Sequence, residues 1–242
     1  MIAALYYAKG ENMPVCQDDC ALEVVEHQRK STVLMVVCDG IGGLEQGEYA
    51  SRFVVSHIRE WFYDIYLKHY KCLWTGKQYR EMTHSCSKML YGCHTKLNQY
   101  GLSNHCNLGT TMTMLIVQNS RYYLFHVGDS RAYKIGRKCK CITKDDVYKQ
   151  NILTKCIGSF PWNGLMIDKG YIRKKQGLLV CSDGIYKAFT EDELRNMFHG
   201  MHHTTEKQLK KRLTKLAETA RLRGIKDDQS GIVYLGGGRY EA

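Results

Sequence analysis

Val36-Val-Cys-Asp-Gly-Ile-Gly-Gly43, which follows directly on Thr32-Val-Leu-Met35, decides the fold. The seven residues Thr32 to Cys38 are apolar or β-branched, as in a strand buried on both faces, and the run stops at a carboxylate followed by glycines. Asp39 therefore stands at the mouth of a core strand. Three other stretches repeat the design: Leu178-Leu-Val-Cys-Ser-Asp183, Tyr122-Tyr-Leu-Phe-His-Val-Gly-Asp129, and Asp227-Asp228 ahead of Ser230-Gly-Ile-Val-Tyr-Leu235. If these ends meet, carboxylates converge. Like charges at close range raise one another's pKa, and such a cluster is normally tolerated around a bound cation, so the pattern reads as a metal site.

The 242 residues suffice for one well-buried core, and no Pro/Ser-rich or charged linker divides them, so a single domain over 1–242 is expected. The balance of 35 Lys+Arg against 24 Asp+Glu gives +11, which favours anionic partners without choosing among them. The cysteine count is 11, an odd number, and Cys38 and Cys181 lie inside apolar strands, a usage that suggests a reducing cytoplasm. Cys16/Cys20 and Cys139/Cys141 lack zinc-finger spacing and histidine partners. Met1-Ile-Ala-Ala-Leu-Tyr-Tyr-Ala8 is no signal peptide, and no apolar run reaches the ~18 residues of a membrane span, so a soluble cytoplasmic product is expected.

In chain order, strands are expected at Ile2–Ala8, Cys20–His27 and Thr32–Cys38, then helices over Gly47 to about Tyr70 and Lys77–Gln99. Leu108–Val117, Arg121–Val127, Arg131–Ile135 and Lys138–Ile142 read as a meander, and Gly164–Ile172 with Gly177–Cys181 as another hairpin. Thr190-Glu-Asp-Glu193 has the form of a capping box opening a helix to about Phe198. A basic helix, Thr204 to about Arg223, precedes the strand Gly231–Leu235. Runs of strands broken by long helices point to an α+β protein with antiparallel sheets.

Each motif also has a plainer reading. Asp39-Gly-Ile-Gly-Gly43 serves equally as a strand-to-loop turn, and Gly128-Asp-Ser-Arg131 as a turn in which Arg131 pairs with Asp129. Gly40-Ile-Gly-Gly-Leu-Glu45 puts an acid at the third glycine of a dinucleotide loop, and no Gly-x-Ser-x-Gly surrounds Ser130, so nucleotide binding and serine-hydrolase chemistry are disfavoured.

Taken together, Cys16-Gln-Asp18, Asp39-Gly-Ile-Gly-Gly-Leu-Glu-Gln-Gly47, Gly109-Thr-Thr111, Gly128-Asp-Ser-Arg131, Ser182-Asp-Gly-Ile185 and Asp227-Asp-Gln-Ser230 resemble the ordered motifs of the metal-dependent, type 2C protein serine/threonine phosphatases, in a bacterial style. The resemblance implies a four-layer α-β-β-α sandwich of two antiparallel sheets flanked by helices. It further implies that Asp39 bridges two Mn²⁺ or Mg²⁺ ions, with Asp183 and Asp227 completing one and the Gly40 carbonyl helping hold the other. Asp18 would orient metal-bound water, and Asp129 would ligate a weaker third ion. Oxygen donors suit such hard cations, and a water bridging two of them is acidified into a nucleophile that attacks phosphorus in phosphoserine or phosphothreonine.

The departures carry expectations of their own. Met13 stands where the family places a phosphate-gripping arginine, Cys16 where asparagine is common, and Ile41 where eukaryotic members have histidine. Lys187 replaces an acidic residue four positions after Asp183; it is expected to weaken or replace the third ion, and its ammonium is the candidate to hold substrate phosphate in place of the arginine. Between Asp146 and Asn151 only Val147–Gln150 remain of the family's flap. The expected partner is a phosphoprotein made by a serine/threonine kinase, met by a monomer with no membrane contact. The alternative is a binding module, a phosphatase fold with little or no activity that docks a (phospho)protein. Nucleic-acid binding through Lys207, Lys210, Lys211, Arg212, Lys215, Arg221 and Arg223 is weaker than the plain reading of a solvated helix face.

Overall fold

The computed structural model describes residues 1–11, 14–27, 30–41, 46–70, 75–149, 152–173, 175–198, 200 and 204–236, with the side chains of His27 and Lys30 excepted. Met13, Gly42 to Glu45, Gln150 and Asn151 lie outside the described residues.

Two five-stranded antiparallel sheets form the centre. The first contains β1 (Ile2–Ala8), β6 (Arg131–Ile135), β7 (Cys139–Cys141), β11 (Gly177–Cys181) and β12 (Gln229–Leu235), in the order β1-β12-β11-β6-β7. The second contains β2 (Asp19–His27), β3 (Lys30–Cys38), β4 (Met112–Gln118), β5 (Arg121–Val127) and β10 (Met166–Tyr171), in the order β10-β5-β4-β3-β2. Alternation along β3 explains its apolar run. Val33, Met35 and Val37 pack between the sheets against Leu115, Leu124, Val180 and Ile232. Leu34, Val36 and Cys38 face the other way, onto helices. Both faces are dry, so truncating Met35 to Ala should cost about 2–5 kcal/mol.

Helices cover each outer face. α1 (Gly47–Trp61) continues through a π turn (Phe62–Tyr66) into α2 (Leu67–His69), and with α3 (Gly76–Asn104) it lies over the second sheet. The π turn, which the 3.6-residue periodicity did not anticipate, keeps Phe62 and Tyr66 stacked in the core with centroids 5.4 Å apart. α4 (Asp183–Tyr186), α5 (Glu191–Phe198) and α6 (Glu206–Leu222) cover the first sheet through Ile185, Leu194, Leu209, Leu213 and Leu216. The capping box at the start of α5 is present: the Glu193 N–H donates to Thr190 Oγ1 at 3.3 Å, and the Thr190 N–H donates to Glu193 Oε2 at 2.9 Å. The result is the four-layer α-β-β-α sandwich, as expected.

Two expected pairings are corrected. β10 and β11 do not form a hairpin, because β10 pairs with β5 in one sheet and β11 with β6 and β12 in the other. The expected meander is likewise two separate hairpins, β4/β5 and β6/β7, in different sheets. In both places the chain crosses between layers at a short polar connection, which sequence alone reads as a tight turn. In the shortened flap region, β8 (Val147–Tyr148) and β9 (Ile152–Leu153) form a minimal ladder.

Candidate active site

The carboxylates gather at one end of the sandwich, where β3, β11 and the approach to β12 open onto the same edge. Asp39 follows the last residue of β3, and its backbone is clamped by the residues leading into β4: the Thr111 N–H and the Thr110 hydroxyl donate to the Asp39 carbonyl at 2.8 and 2.9 Å. The Asp39 N–H in turn donates to Thr111 Oγ1 at 3.1 Å. Thr111 Oγ1 also lies 2.8 Å from Ser130 Oγ, which links the Gly109-Thr-Thr111 and Gly128-Asp-Ser-Arg131 motifs to Asp39.

Asp18 sits one residue before β2 and is 1% exposed; its Oδ2 accepts the Ser230 hydroxyl from β12 at 2.6 Å, across the two sheets. The Gly40 N–H donates to the Gln17 carbonyl at 3.1 Å, and buried Ser51 on α1 donates to the same carbonyl at 2.6 Å. A Cβ on Gly40 would lie 2.6 Å from the Gln17 and Gly47 carbonyl oxygens, so only glycine allows the two loops to meet here. Asp183 opens α4, directly after Ser182, and the next residue, Gly184, packs so closely on the Asp228 carbonyl that a Cβ would collide with it.

The acids act on one another electrostatically. Asp39 is pushed well above the usual carboxylate range, by burial first and then by the charges of Asp18, Asp183, Asp129 and Asp227. Burial raises Asp18 to about 7, although Ser230 and Ser182 hydrogen bonds pull it down; Asp228 and Asp183 add to the rise. Asp129 rises to about 6 through burial and Asp183, and Asp227 rises through burial and Asp183. The structure thus brings together Asp18, Asp39, Asp129, Asp183 and Asp227, five acids spread over most of the sequence.

Lys187 is part of this field. Its Nζ lies 2.5 Å from Asp183 Oδ2, one helical turn on. Burial works against its charge, but the Asp183 hydrogen bond and the charges of Asp183, Asp129 and Asp227 prevail, and the ammonium is held above its ordinary range. Among the described residues, no three acidic, histidine or cysteine side chains stand close enough together to ligate one ion. The donors are all hard oxygens that repel one another, a set whose chemistry fits Mg²⁺ or Mn²⁺.

Several residues with structural roles here carried no clear signal in the sequence. Both oxygens of buried Asp228 go to backbone, with the Gly10 N–H on Oδ1 and the Gln17 N–H on Oδ2, each at 2.6 Å, fixing the loop that delivers Asp18. Arg131 does not pair with Asp129: its Nε and Nη2 donate to Asp145 at 3.0 and 2.7 Å, and its guanidinium lies 4.1 Å from the centroid of the Tyr186 ring. A bidentate partner was available across the β6/β7 hairpin, and Asp129 is held among the other acids. On α6 the leucines face the sheet; Arg221 donates to the Lys9 carbonyl at 2.9 Å, and Arg223, just past the helix, donates to the Ala188 carbonyl and to Glu193, each at 2.7 Å.

The family profile of protein phosphatase 2C matches residues 9–218. The chain belongs to the protein phosphatase 2C family. Two curated relatives are provisionally named protein phosphatases. The Mycoplasma pneumoniae protein is 27% identical over 243 aligned positions, covering 88% of this chain and 89% of the relative. The Mycoplasma genitalium protein is 27% identical over 187 positions, covering 68% and 71%. Among solved structures, this protein phosphatase 2C chain superposes on the serine/threonine phosphatase Stp1 from Staphylococcus aureus with a TM-score of 0.80 at 22% identity, over 98% of this chain and 96% of that one. On the Mycobacterium tuberculosis serine/threonine phosphatase PstP the TM-score is 0.74 at 18% identity, over 96% of each. At those identities the superpositions establish the fold.

Proposed function

We propose that this chain is a bacterial, cytoplasmic serine/threonine phosphoprotein phosphatase, metal-dependent and working as a monomeric single domain. The observation supporting it is the electrostatic burden on Asp39, which stands in the field of four other carboxylates. Asp39, Asp183 and Asp227, with the Gly40 carbonyl, would hold two Mn²⁺ or Mg²⁺ ions, and Asp129 a weaker third. When bound, such ions neutralise charge developing on the phosphoryl oxygens and acidify water. The residues of the chain do the rest: Asp18, steadied by Ser230, orients the attacking water, and the Asp228 contacts keep its loop in place. The water oxygen bonds to phosphorus in line as the bond from phosphorus to the serine or threonine oxygen breaks; the attacking water gives up a proton, and the leaving oxygen takes one up from water. Lys187 would supply a point charge to the substrate phosphate in place of the family's arginine.

A second reading, a docking module with little or no activity, is favoured by one observation: the Lys187 ammonium already occupies an Asp183 oxygen. Manganese-dependent hydrolysis of an aryl phosphate and a phosphothreonine peptide separates the two. Activity lost in Asp39→Ala and Asp183→Ala protein supports the phosphatase. Activity unchanged in them contradicts it, and tight phosphopeptide binding without turnover in saturating manganese selects the module.

A further inference from the structure

A cavity of about 1010 Å³ lies at the other end of the first sheet from the carboxylates. Its floor contains Ile135, Gly177 and Leu235, which are register partners at the ends of β6, β11 and β12 remote from Asp129, Asp183 and Asp227. A strand of five residues separates the two ends, roughly 17 Å. Six cations line the cavity, Lys134, Arg137, Lys138, Lys140, Arg173 and Lys175, and among its described lining residues none is acidic.

Two features of this wall work against stability. Lys134 and Lys140 are direct cross-strand partners on β6 and β7, a like-charged pair on one face of the ladder. Burial, and then Arg173 and Lys140, push the Lys134 ammonium below its ordinary range. Lys175, in the connection between β10 and β11, has φ 70°, a left-handed conformation in which glycine would be at ease and lysine is strained. Lys134 donates to the Tyr171 carbonyl at 2.6 Å, but no acidic side chain among the described lining residues balances the six cations around the apolar floor, an arrangement that suits an anion. A single phosphate would engage only two or three of these cations. The described lining offers no exposed aromatic ring for base stacking, since Phe198 is buried, which disfavours nucleic acid.

We propose that this cavity is a docking site for an acidic or phosphorylated segment of a protein partner, bound by the cationic rim with an apolar side chain on the Ile135 and Leu235 floor. It deepens the functional reading in one respect, by naming that partner as the phosphoprotein substrate, held at a point distant from the bond to be cleaved. A segment seated here leaves at least about five extended residues before the substrate chain can reach the carboxylates.

Binding of a fluorescein-labelled, glutamate-rich peptide is measured by anisotropy in EDTA, so that no turnover is needed and failure of the phosphatase reading leaves the result unaffected. The wild type should bind, and Lys138→Glu/Lys140→Glu protein should bind about tenfold more weakly or worse. Lys175→Gly should also weaken binding while melting no lower than wild type, because glycine relieves the strained φ. Hydrolysis of p-nitrophenyl phosphate, which is too small to reach the cavity, should match wild type in both variants. No binding by wild type, or binding undiminished in the variants, overturns the proposal. So does a single-stranded oligonucleotide that binds more tightly than the peptide and is released by the same substitutions.

Discussion

Ser230 in β12 donates its hydroxyl at 2.6 Å to Asp18, the residue just before β2, joining residues 212 positions apart. Asp18 is 1% exposed, so this donor is one of few that can satisfy its carboxylate. Ser230→Ala should therefore destabilise the protein by about 1–3 kcal/mol, read as a lower urea midpoint with an unchanged slope. An unchanged midpoint would mean that the bond contributes nothing to holding the sheets in register at the site.

Asp228 anchors the same loop differently, through two charge-assisted bonds from backbone N–H groups. In Asp228→Asn one of these faces an amide NH₂ in place of an oxygen, so a donor meets a donor. The expected loss is about 2–4 kcal/mol, more than for Ser230→Ala, checked by the same denaturation series. The reverse order would contradict the anchoring role.

The strand ends and their carboxylates were legible because a buried strand has a simple signature: an apolar run that stops at Asp39 or Asp183. The pairing of strands was less so. β10 and β11 are near neighbours in sequence but lie in different sheets, because whether a chain turns back or crosses layers depends on packing across the sandwich. At the site, Asp39, Asp129, Asp183 and Asp227 could be singled out by type and place, and Asp18 through the resemblance to the family. The hydroxyl clamp of Thr110 and Thr111, the anchoring by Asp228 and the Arg131 partner Asp145 could not, because each depends on a contact made only in three dimensions.

His126 sits between the sheets with Nε2 donating to the Lys144 carbonyl at 3.1 Å and Nδ1 lying 2.8 Å from the Thr113 hydroxyl. Burial lowers its pKa against the opposing pull of Asp146, the Lys144 carbonyl and Asp145. The sign follows: below about 6.5 the unfolded chain takes up a proton that the folded imidazole resists, so this residue's contribution is complete above that pH and declines below it. Asp39, Asp18, Asp129 and Asp227, raised in the folded state, act in the opposite sense, and buried His94 acts with His126. Comparison with His126→Gln isolates the effect. The stability advantage of wild type over the variant should shrink between about pH 7.5 and about pH 5.5, and a constant difference would contradict it.

Lys187 competes for an Asp183 oxygen. Lys187→Ala should free that oxygen and tighten manganese binding in calorimetry, and Lys187→Asp should tighten it further by adding a donor beside Asp129. If Lys187 also holds substrate phosphate, Lys187→Ala should raise the KM for a phosphothreonine peptide several-fold. An unchanged KM would confine Lys187 to its ion pair.

The most direct test of the account is a manganese titration by calorimetry on wild-type, Asp39→Ala and Asp183→Ala proteins. The wild type should bind two ions, with the substitution Asp39→Ala abolishing tight binding and Asp183→Ala weakening it. No manganese bound by the wild type, or identical isotherms for all three proteins, would contradict the account.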